Sequence, residues 1–590
     1  MDYKQQAHLV LKEYWGYDSF RPRQLEIIRS ALEGRDTLGI LPTGGGKSIT
    51  FQIPALLREG ICLVVTPLIA LMKDQVRSLQ SRGIRAMAIH TGMSRHEVDT
   101  ALNNAAYGDY KFLYLSPERL STELFRSYLP ELNMNFIVVD EAHCISQWGY
   151  DFRPDYLKIA DIRENSNACI IALTATATVE VAADIMDKLQ FTSPNLIQGS
   201  FARKNLSYCC RRTNDKRGVL LKGCLGTQGS AIVYVRSRNL TGEIADFLRS
   251  EGIPAASYHA GMDSTRRSRV QEDWISGRTR VMVCTNAFGM GIDKPDVRTV
   301  FHWGLPDSIE SYFQEAGRAG RDGNPAKGLL LWDEDDCRRL RTMQKTSFPP
   351  LEYVENIYHC LHAYFDIPFE SGGGRELKFD LKDFCTKYRL NRVQAFYAVK
   401  YLEKCGHWTY AQQVDVPTKV MVTMDRSALY GITLDDGRML TVLEVLMRHY
   451  EGLFSFPVVI NEELVAARSS LTVAQLRQML YQLSLLHIIR YVPCTTSDVV
   501  YLHADRLHPK DVNLHVELYR KLQETSLART EAMIDFVQDE KMCRSRKLLE
   551  YFGEKESSPC GICDVCNGGG NPAGDYRSKV DDGRCAPLEI

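Results

Sequence analysis

The sequence contains no apolar run that approaches the roughly 18 residues needed to cross a bilayer, and its first residues form no hydrophobic export segment. We therefore expect neither a membrane span nor secretion. Excess charge is also missing, because 72 Lys and Arg stand against 73 Asp and Glu, for a formal net charge of −1. Any binding to a polyanion would have to come from local basic stripes.

The composition is otherwise that of an ordinary globular protein, with 44% hydrophobic and 25% charged residues. A chain of 590 residues is too long for one core and indicates roughly four or five domains. Most of the 17 cysteines stand singly in apolar segments, as Cys62, Cys169 and Cys284 do. That distribution is typical of buried thiols in a reducing, intracellular compartment.

Two successive parts of the chain alternate short apolar runs with helical stretches. Predicted strands of the first part, from about Leu9 to Arg203, are Thr37–Leu41, Cys62–Thr66, Phe112–Leu115, Phe136–Val139 and Ile170–Thr174. Predicted strands of the second part are Ala231–Val235, Val281–Thr285 and Thr299–Trp303. Each run is followed by a turn residue and a helix signal, which indicates βαβ units and parallel sheets. Two such parts in a row predict two lobes with a cleft between them.

A glycine-rich loop follows the first predicted strand and opens a helix. The run Pro-Thr-Gly-Gly-Gly-Lys-Ser covers residues 42–48, so that Thr43, Gly44, Gly45 and Gly46 can close backbone N–H groups around phosphate. Lys47 would reach the β- and γ-phosphates of ATP, and the Ser48 hydroxyl would hold Mg²⁺. The alternative is a glycine-rich turn without a ligand.

Two adjacent carboxylates come at the carboxyl end of another apolar strand. Asp140 would hold Mg²⁺ through water, and Glu141 would orient and deprotonate the attacking water. Alone, such a pair could be a solvated turn. Its combination with the loop at Lys47 favours a site for ATP hydrolysis.

Phosphoryl transfer also needs positive charge on the developing transition state. The segment 314–323 carries Gln314, Arg318 and Arg321, and the two arginines are three residues apart on one face of a helical turn. Because they belong to the second part of the chain, they would reach ATP only across the cleft. The alternative is a surface helix with two exposed arginines.

With these motifs in this order, the chain resembles the RecQ family of superfamily-2 DNA helicases, from about residue 9 to 335 and again from about 525 to 566. Residues 16–24 resemble the family's adenine-recognition motif, in which Gln24 would read the adenine edge while Tyr17 and Arg21 contact the nucleotide. Residues 142–154 resemble its aromatic-rich loop, in which Trp148 and Phe152 would stack on bases and Arg153 would hold phosphate or link to the ATP site. A core plug is the alternative for those aromatics.

Further segments resemble the family's DNA-contacting motifs. The resemblance implies that Thr66, Lys73, His143, His259 and Thr285 contact DNA. It also implies that Asp293 touches the ribose and that the Thr174-Ala175-Thr176 motif couples hydrolysis to unwinding.

Four cysteines near the C-terminus have the spacing of a metal site. Cys543 is followed by Cys560, Cys563 and Cys566, and four thiolates favour a tetrahedral Zn²⁺ ion. The spacing matches the zinc module of the family. An iron–sulfur cluster is the alternative, and Cys585 is expected to be free.

Between the second lobe and these cysteines, the chain departs from the usual RecQ order. Two helix–turn–helix–ribbon patterns, each ending in a predicted two-stranded ribbon (His407–Met424 and Ile489–Leu502), indicate tandem winged helices. Arg389 and Arg392 could meet phosphates. Trp408 could wedge against a terminal base pair or could belong to the core.

The expected fold class is α/β: two tandem RecA-like parallel-sheet lobes, followed by tandem winged-helix-like modules and a C-terminal helical zinc-binding module. The predicted boundaries are 1–205 and 206–345 for the lobes, 346–430 and 431–508 for the winged-helix-like modules, 509–567 for the zinc module and 568–590 for a disordered tail.

The resemblance implies an enzyme that uses ATP, Mg²⁺ and Zn²⁺, moves 3′ to 5′ on single-stranded DNA and unwinds duplex or forked DNA in repair and recombination. We expect a monomer in the cytoplasm, associated with the nucleoid, with a single-stranded-DNA-binding protein as a candidate partner. Two alternatives stay open at this point: an RNA helicase or remodeller, and a scaffold or annealing protein with an inactive ATP site.

Overall fold

The computed structural model divides the chain into two compact units. One combines Met1–Gln344 with Arg520–Ile590, and the other is Lys345–Tyr519. The residues that the structure describes are 3–42, 44–67, 69–90, 93, 95–146, 153–163, 166–262, 264–286, 288, 294–416, 418–424, 429, 436–455, 457–493, 495–555 and 557–568. The predicted tail from residue 569 onward therefore lies outside this description.

The first lobe is built on a parallel sheet of seven described strands. They are β1 (Thr37–Ile40), β2 (Ile61–Val65), β3 (Ala86–Ile89), β4 (Phe112–Leu115), β5 (Met134–Asp140), β6 (Cys169–Thr174) and β7 (Leu196–Gln198). Their order is β3-β4-β2-β5-β6-β1-β7. The central strands are buried on both faces, which is why they read as continuous apolar runs in the sequence. The edge strands β3 and β7 are partly exposed and were not among the predicted strands.

Helices cover both faces of this sheet. They span Tyr3–Trp15, Gln24–Leu32, Lys47–Leu57, Ile69–Gln80, Arg95–Tyr107, Glu123–Tyr128, Ile159–Arg163 and Val179–Lys188, with 3₁₀ turns at Pro117–Ser121, Leu129–Glu131, Ala142–Ile145 and Pro154–Lys158. Because β5, β6 and β1 are neighbours and parallel, the segments that follow them meet at one edge of the sheet. That edge receives the glycine-rich loop, the Asp140–Glu141 pair and the Thr174–Thr176 motif.

The second lobe repeats this architecture with six described strands. They are β8 (Leu206–Arg212), β9 (Ser230–Tyr234), β10 (Ala255–Tyr258), β11 (Val281–Cys284), β12 (Val297–Trp303) and β13 (Ala326–Trp332). All pair in parallel, in the order β10-β11-β9-β12-β13-β8. The helices span Lys216–Leu225, Arg238–Ser250, Ser264–Ile275, Ile309–Ala316 and Glu334–Thr346.

The cysteine-bearing segment packs on the second lobe. It contains the helices Val516–Gln538 and Arg544–Tyr551. Phe536 lies with its ring centroid 5.2 Å from that of Tyr312, and Arg529 forms a largely buried ion pair with Glu310 at 3.0 Å. The segment therefore shares a hydrophobic core with the lobe and is not an appendage.

The second unit, described by itself, contains two antiparallel three-stranded sheets. Its strands are β14 (Glu376–Phe379), β15 (Trp408–Val416), β16 (Lys419–Val422), β17 (Val458–Val459), β18 (Ile489–Val492) and β19 (Thr495–Leu502). Its helices are Leu351–Tyr364, Leu381–Tyr388, Arg392–Lys404, Gly437–His449, Glu462–Arg468 and Val473–Leu485, with a 3₁₀ turn at Pro509–Asp511.

Strand pairing in this unit corrects the prediction of two consecutive modules. The predicted ribbons would pair β15 with β16 and β18 with β19, but β15 pairs with β19 and β16 pairs with β18. The sheet β17-β16-β18 is thus inserted between two adjacent strands of the sheet β14-β19-β15. Alternating side chains are compatible with either partner, so the sequence pattern could not show which strand pairs with which.

Trp408 belongs to the core of the second unit, which corrects its prediction as a DNA contact. Its side chain is fully buried, stacks 5.9 Å from Tyr358 and donates a hydrogen bond from Nε1 to the Val399 carbonyl at 3.1 Å. A tryptophan held in this way cannot reach a base pair.

His362 lies in the same core and makes the stability of the unit depend on pH. Burial lowers the pKa of His362 to about 4, against an unfolded value of about 6.5. The unfolded chain therefore binds more protons between these two values. Stability should fall by roughly 1.4 kcal/mol per pH unit as the pH decreases through this window.

Thermal melting of the full chain at pH 7.5, 6 and 5 measures this effect. His362→Gln removes the titrating group but keeps a polar side chain near the Tyr358 carbonyl, to which His362 Nδ1 bonds at 2.9 Å. We expect a weaker pH dependence for this variant than for the wild type or for His449→Gln, which alters an exposed histidine. Equal acid sensitivity of all three proteins would contradict the prediction.

Candidate functional site

The glycine-rich loop has a backbone that only glycine adopts easily. Gly44 and Gly46 have φ of +80° and +73°, in the left-handed region. At Gly45 a Cβ would lie 2.8 Å from the Pro42 carbonyl oxygen, so a side chain is excluded there by contact. The helix begins at Lys47 and directs its N-terminal N–H groups towards the loop. Thr43, also predicted for this site, lies outside the described residues.

The predicted adenine-reading residues brace this loop. The Arg21 N–H donates to Gln24 Oε1 at 2.8 Å, and Gln24 Nε2 donates to the carbonyls of Gly45 and Gly46 at 3.1 and 3.0 Å. The Arg21 guanidinium donates to the Gly44 carbonyl. Gln24 is therefore buried against the loop, and an adenine could bond its amide only by replacing these contacts.

Around the loop lie Tyr17, which was predicted to contact the nucleotide, and two glutamines that were not predicted to belong to the site. Tyr17 is 54% exposed, as a side chain that stacks on a ligand would be. Gln75 donates from Nε2 to Ser48 Oγ at 3.0 Å, and Gln52 donates to Gln75 Oε1 at 3.0 Å. No sequence signal identified Gln75 or Gln52 as supports of Ser48.

The two predicted catalytic carboxylates lie at the carboxyl end of β5, where Asp140 is the last residue of the strand and Glu141 follows it. Glu141 has φ of +50°, and its N–H donates to Asp140 Oδ1 at 3.0 Å. Burial and the neighbouring Glu141 carboxylate raise the pKa of Asp140, while the Lys47 ammonium acts in the opposite direction. Lys47 is therefore close enough to interact electrostatically with the acidic pair.

His143 links this pair to the next strand, which corrects its prediction as a DNA contact. It is 1% exposed, and its Nδ1 lies 3.0 Å from Thr174 Oγ1 and 3.5 Å from Glu141 Oε2. The Thr176 N–H donates to Thr174 Oγ1 at 3.3 Å, and Gln314 Nε2 from the second lobe donates to Thr176 Oγ1 at 3.3 Å. Polar contacts thus extend from His143 and Thr174 across to the second lobe, and the Glu141 carboxylate lies beside His143 at their first-lobe end.

Gln314→Ala removes the last of these contacts. A neutral hydrogen bond contributes about 1 kcal/mol, so we expect the rate of ATP hydrolysis to fall about fivefold. Steady-state ATPase assays measure this, with Gln523→Ala as control because Gln523 is exposed on the helix Val516–Gln538. An unchanged rate in the Gln314 variant would show that the contact with Thr176 carries no coupling.

The predicted arginines approach the loop from the second lobe. A Cβ at Gly44 would lie 3.3 Å from Arg321 Cγ, so the Arg321 side chain rests against the glycine-rich loop. Arg318 is 6% exposed and lies close to Tyr234. Burial raises the pKa of the Tyr234 phenol, and the charge of Arg318 acts in the opposite direction. The structure therefore brings Arg321 to the loop and buries Arg318 close to Tyr234.

The turn that carries these arginines is held by residues that the sequence did not single out. Arg203 donates to the carbonyls of Gly317, Ala319 and Gly320 at 3.2, 3.0 and 3.0 Å. Asn205 Nδ2 donates to the Gly320 carbonyl at 2.7 Å. Both belong to the segment that joins the lobes, so the linker itself shapes the turn.

The predicted DNA contacts of the first lobe have different environments. Thr66 is 1% exposed and its hydroxyl is enclosed, which contradicts its prediction as a phosphate contact. Lys73 is exposed on the helix Ile69–Gln80. The Arg153 N–H donates to the Cys144 carbonyl at 2.8 Å, which closes the base of the aromatic-rich loop beside Glu141. Trp148 and Phe152 lie outside the described residues.

In the second lobe, His259 and Thr285 are half-buried at the carboxyl ends of β10 and β11. Burial lowers the pKa of His259, with the charges of Arg238 and Arg266 acting in the same direction. These guanidinium groups make the strand ends a basic surface. Asp293, predicted to touch the ribose, lies outside the described residues.

The four predicted metal-ligating cysteines come together. Their sulfur atoms all lie within 4.8 Å of one another, and Cys543 Sγ is 3.9 Å from Cys563 Sγ. Four sulfurs at about 2.3 Å around one tetrahedral ion are about 3.8 Å apart. The group therefore fits a single zinc ion, with one ligand preceding the helix Arg544–Tyr551 and three from the knot at 560–566.

An aspartate inside the knot fastens it to the second lobe. Asp564 accepts hydrogen bonds from the Cys210 N–H of β8 at 2.9 Å and from Arg544 Nε at 3.1 Å. Ser207 Oγ donates to the Ile562 carbonyl at 2.5 Å. These bonds orient the metal-ligating loop, and the cysteine spacing alone did not indicate them.

In the second unit, Arg389 and Arg392 are exposed at the turn between the helices Leu381–Tyr388 and Arg392–Lys404. Arg389 ends one helix with φ of +54°, and Arg392 begins the next after the Asn391 cap. Their exposure is consistent with phosphate binding, which stays a prediction.

Four family models match the chain. They are the DEAD/DEAH box helicase (residues 21–185), the helicase conserved C-terminal domain (215–323), the RecQ helicase winged-helix domain, Bacteroidota (420–493), and the RecQ zinc-binding model (509–567). The winged-helix match covers the inserted sheet and its helices. The zinc-binding match covers the four cysteines.

Curated relatives agree with these matches. The chain is 44% identical over 340 residues to "ATP-dependent DNA helicase RecQ" of Haemophilus influenzae, covering 57% of this chain and 55% of that protein. It is 41% identical over 359 residues to the protein of the same name from Synechocystis, covering 57% and 74%. The chain thus spans about half the length of the first of these relatives and three quarters of the second.

Proposed function

The chain belongs to the RecQ family, and from this premise we propose that it is an ATP-dependent helicase that moves along single-stranded DNA and unwinds duplex DNA. One observation carries the proposal. Arg321 and Gln314 of the second lobe reach the glycine-rich loop and the Thr176 hydroxyl of the first lobe. Side chains from both lobes thus contribute to one site, so hydrolysis would depend on how the lobes close.

In the proposed reaction, the first lobe binds ATP and activates water. Lys47 and the N–H groups of the loop hold the phosphates, and Glu141 takes the proton of the attacking water. Ser48 and Asp140 would hold Mg²⁺, which neutralises phosphate charge when bound. The base must act on a water in line with the γ-phosphate, and His143 Nδ1 lies 3.5 Å from the Glu141 carboxylate that would have this role.

The second lobe supplies charge to the transition state. The Arg321 guanidinium would stabilise the equatorial oxygens of the transferring phosphoryl group, and Arg318 would add positive charge from the same turn. Adenine would be selected by Tyr17, Arg21 and Gln24. Since Arg153 closes the aromatic-rich loop next to Glu141, DNA that binds this loop could influence the catalytic carboxylate directly.

The cellular context is also proposed from the family. It comprises 3′ to 5′ movement, action on forked DNA in repair and recombination, and a monomer in the cytoplasm that meets a single-stranded-DNA-binding protein. Zn²⁺ would serve the cysteine module as a structural ion. Among the described residues, no helix combines the length and apolar character needed to span a membrane.

A strand-separation assay with tailed duplexes tests the proposal. We expect ATP-dependent unwinding from a 3′ tail and not from a 5′ tail, together with ATP hydrolysis stimulated more by single-stranded DNA than by RNA of equal length. Lys47→Ala should lower both activities by about 10²-fold or more, because the phosphates lose their cation.

Two results would contradict this proposal in different ways. Equal stimulation by RNA would favour an RNA remodeller. Equal ATPase rates for the wild type and Lys47→Ala would show that the catalytic site is not at the glycine-rich loop.

A further inference from the structure

The segment that joins the two lobes, residues 199–205, is anchored at both ends. Its first N–H, at Gly199, donates to the Ile40 carbonyl at 2.9 Å, directly before the glycine-rich loop. Near its other end, Arg203 holds the turn that carries Arg318 and Arg321. A shift of this linker would therefore change the distance between the two halves of the ATP site.

A carboxylate from the zinc-binding module holds the middle of the linker. Glu554 Oε2 accepts a hydrogen bond from Ser200 Oγ at 2.9 Å, and its Oε1 accepts one from the Phe201 N–H at 2.5 Å. Ser200 Oγ in turn accepts a bond from the Ala202 N–H at 3.2 Å. A carboxylate that accepts backbone and hydroxyl bonds in this way gives a charge-assisted, directional contact.

The two residues before Glu554 complete the contact with both lobes. The ring of Phe552 lies 4.8 Å from that of Phe201 in the linker and 5.0 Å from that of Phe313 in the second lobe. Gly553 has φ of +90°, and a Cβ there would lie 3.4 Å from Val179 Cγ2 in the first lobe. Residues 552–554 therefore touch the first lobe, the linker and the second lobe together.

We propose that residues 552–554 form an interlobe clamp and that Glu554 is a positioning residue for ATP hydrolysis. The side-chain carboxylate of Glu554 contacts the linker, at Ser200 and Phe201. It acts through the linker on the turn at 317–320, while Phe552 packs on Phe313, the neighbour of Gln314. The helix Arg544–Tyr551 connects this clamp to Cys543, so the metal-ligating module sets the relation between the lobes. This inference rests on the proposed function for its effect on catalysis.

Steady-state kinetics of Glu554→Ala provide the first test. We expect the maximal DNA-stimulated ATPase rate to fall about tenfold while the KM for ATP stays within about twofold, because the nucleotide-binding loop is untouched. Glu554→Gln keeps an acceptor for the Phe201 N–H and should recover most of the rate. Glu550→Ala is the matched control, since Glu550 pairs with Arg546 on its own helix.

Hydrogen exchange of the unliganded proteins provides a second test that does not need activity. In Glu554→Ala, amides of residues 199–206 and 314–321 should exchange faster than in the wild type and in Glu550→Ala, with unchanged zinc content and melting temperature. The clamp proposal would be refuted if amides of residues 314–321 in Glu554→Ala exchanged as in the wild type. It would also be refuted if the variant lost zinc and this loss accounted for its lower rate. A wild type without DNA-stimulated hydrolysis would instead refute the proposed function, while the exchange data still decide on the clamp.

Discussion

Arg321→Ala is expected to lower the maximal rate of ATP hydrolysis by about 10²- to 10³-fold, with little change in the KM for ATP. The side chain lies against Gly44 but belongs to the second lobe. Ground-state binding depends mainly on the loop and Lys47 of the first lobe, so the arginine should act on the transition state, where charge develops on the phosphoryl oxygens. A loss confined to the maximal rate is the kinetic sign of such an interaction.

The matched control is Arg338→Ala, because Arg338 is exposed on the helix Glu334–Thr346 and pairs with Asp335 of the same helix. Its rate should equal that of the wild type. Single-turnover hydrolysis with saturating DNA separates the chemical step from product release. A variant at Arg321 that keeps its rate within about threefold would show that the Arg321 side chain does not contribute to catalysis.

Cys563→Ser is expected to abolish stoichiometric metal binding and to destabilise the second lobe. Structural zinc contributes an apparent 10 to 16 kcal/mol, roughly, to the folding of small zinc modules. The helices next to the knot share a core with Tyr312 and Phe313, so unfolding of the module would expose apolar surface of the lobe. The wild type should carry about one zinc ion per chain.

Metal analysis of the purified protein and thermal melting measure the two effects. Cys360→Ser is the control, since Cys360 lies half-buried in the helix Leu351–Tyr364 of the second unit and is not one of the four clustered cysteines. It should retain zinc and its melting temperature. Full zinc content in Cys563→Ser would refute the ligand assignment, and iron with the visible absorbance of a cluster in the wild type would refute zinc.

Some site residues could be identified from the sequence because their chemistry lies within one short segment. Both the residue types and their spacing are visible within one short segment in three cases: the loop at 44–48, the Asp140–Glu141 pair and the cysteines at 560–566. For these segments the local pattern indicates both the backbone conformation and the ligand. The structure places them as such segments require, at strand ends or in one cluster.

Other assignments failed because burial depends on residues far along the chain. Thr66, His143 and Trp408 have side chains that suit DNA binding, yet each is enclosed by segments that the local pattern does not show. The predicted pairing of β15 with β16 was wrong for the same reason, since alternating side chains indicate a strand but not its partner.

By itself, the sequence determined that this protein has two parallel-sheet lobes, a glycine-rich loop before a helix, an acidic pair and a cluster of four cysteines, because each depends on neighbours within a few residues. Only the tertiary structure decided that Arg321 reaches Gly44, that His143 joins Glu141 to Thr174, and that Glu554 holds the linker at Phe201. The contacts of Arg321 with Gly44, of His143 with Thr174 and of Glu554 with Phe201 join residues 30 or more positions apart. They form only when the sheets and their connections are packed, and packing is a property of the whole fold.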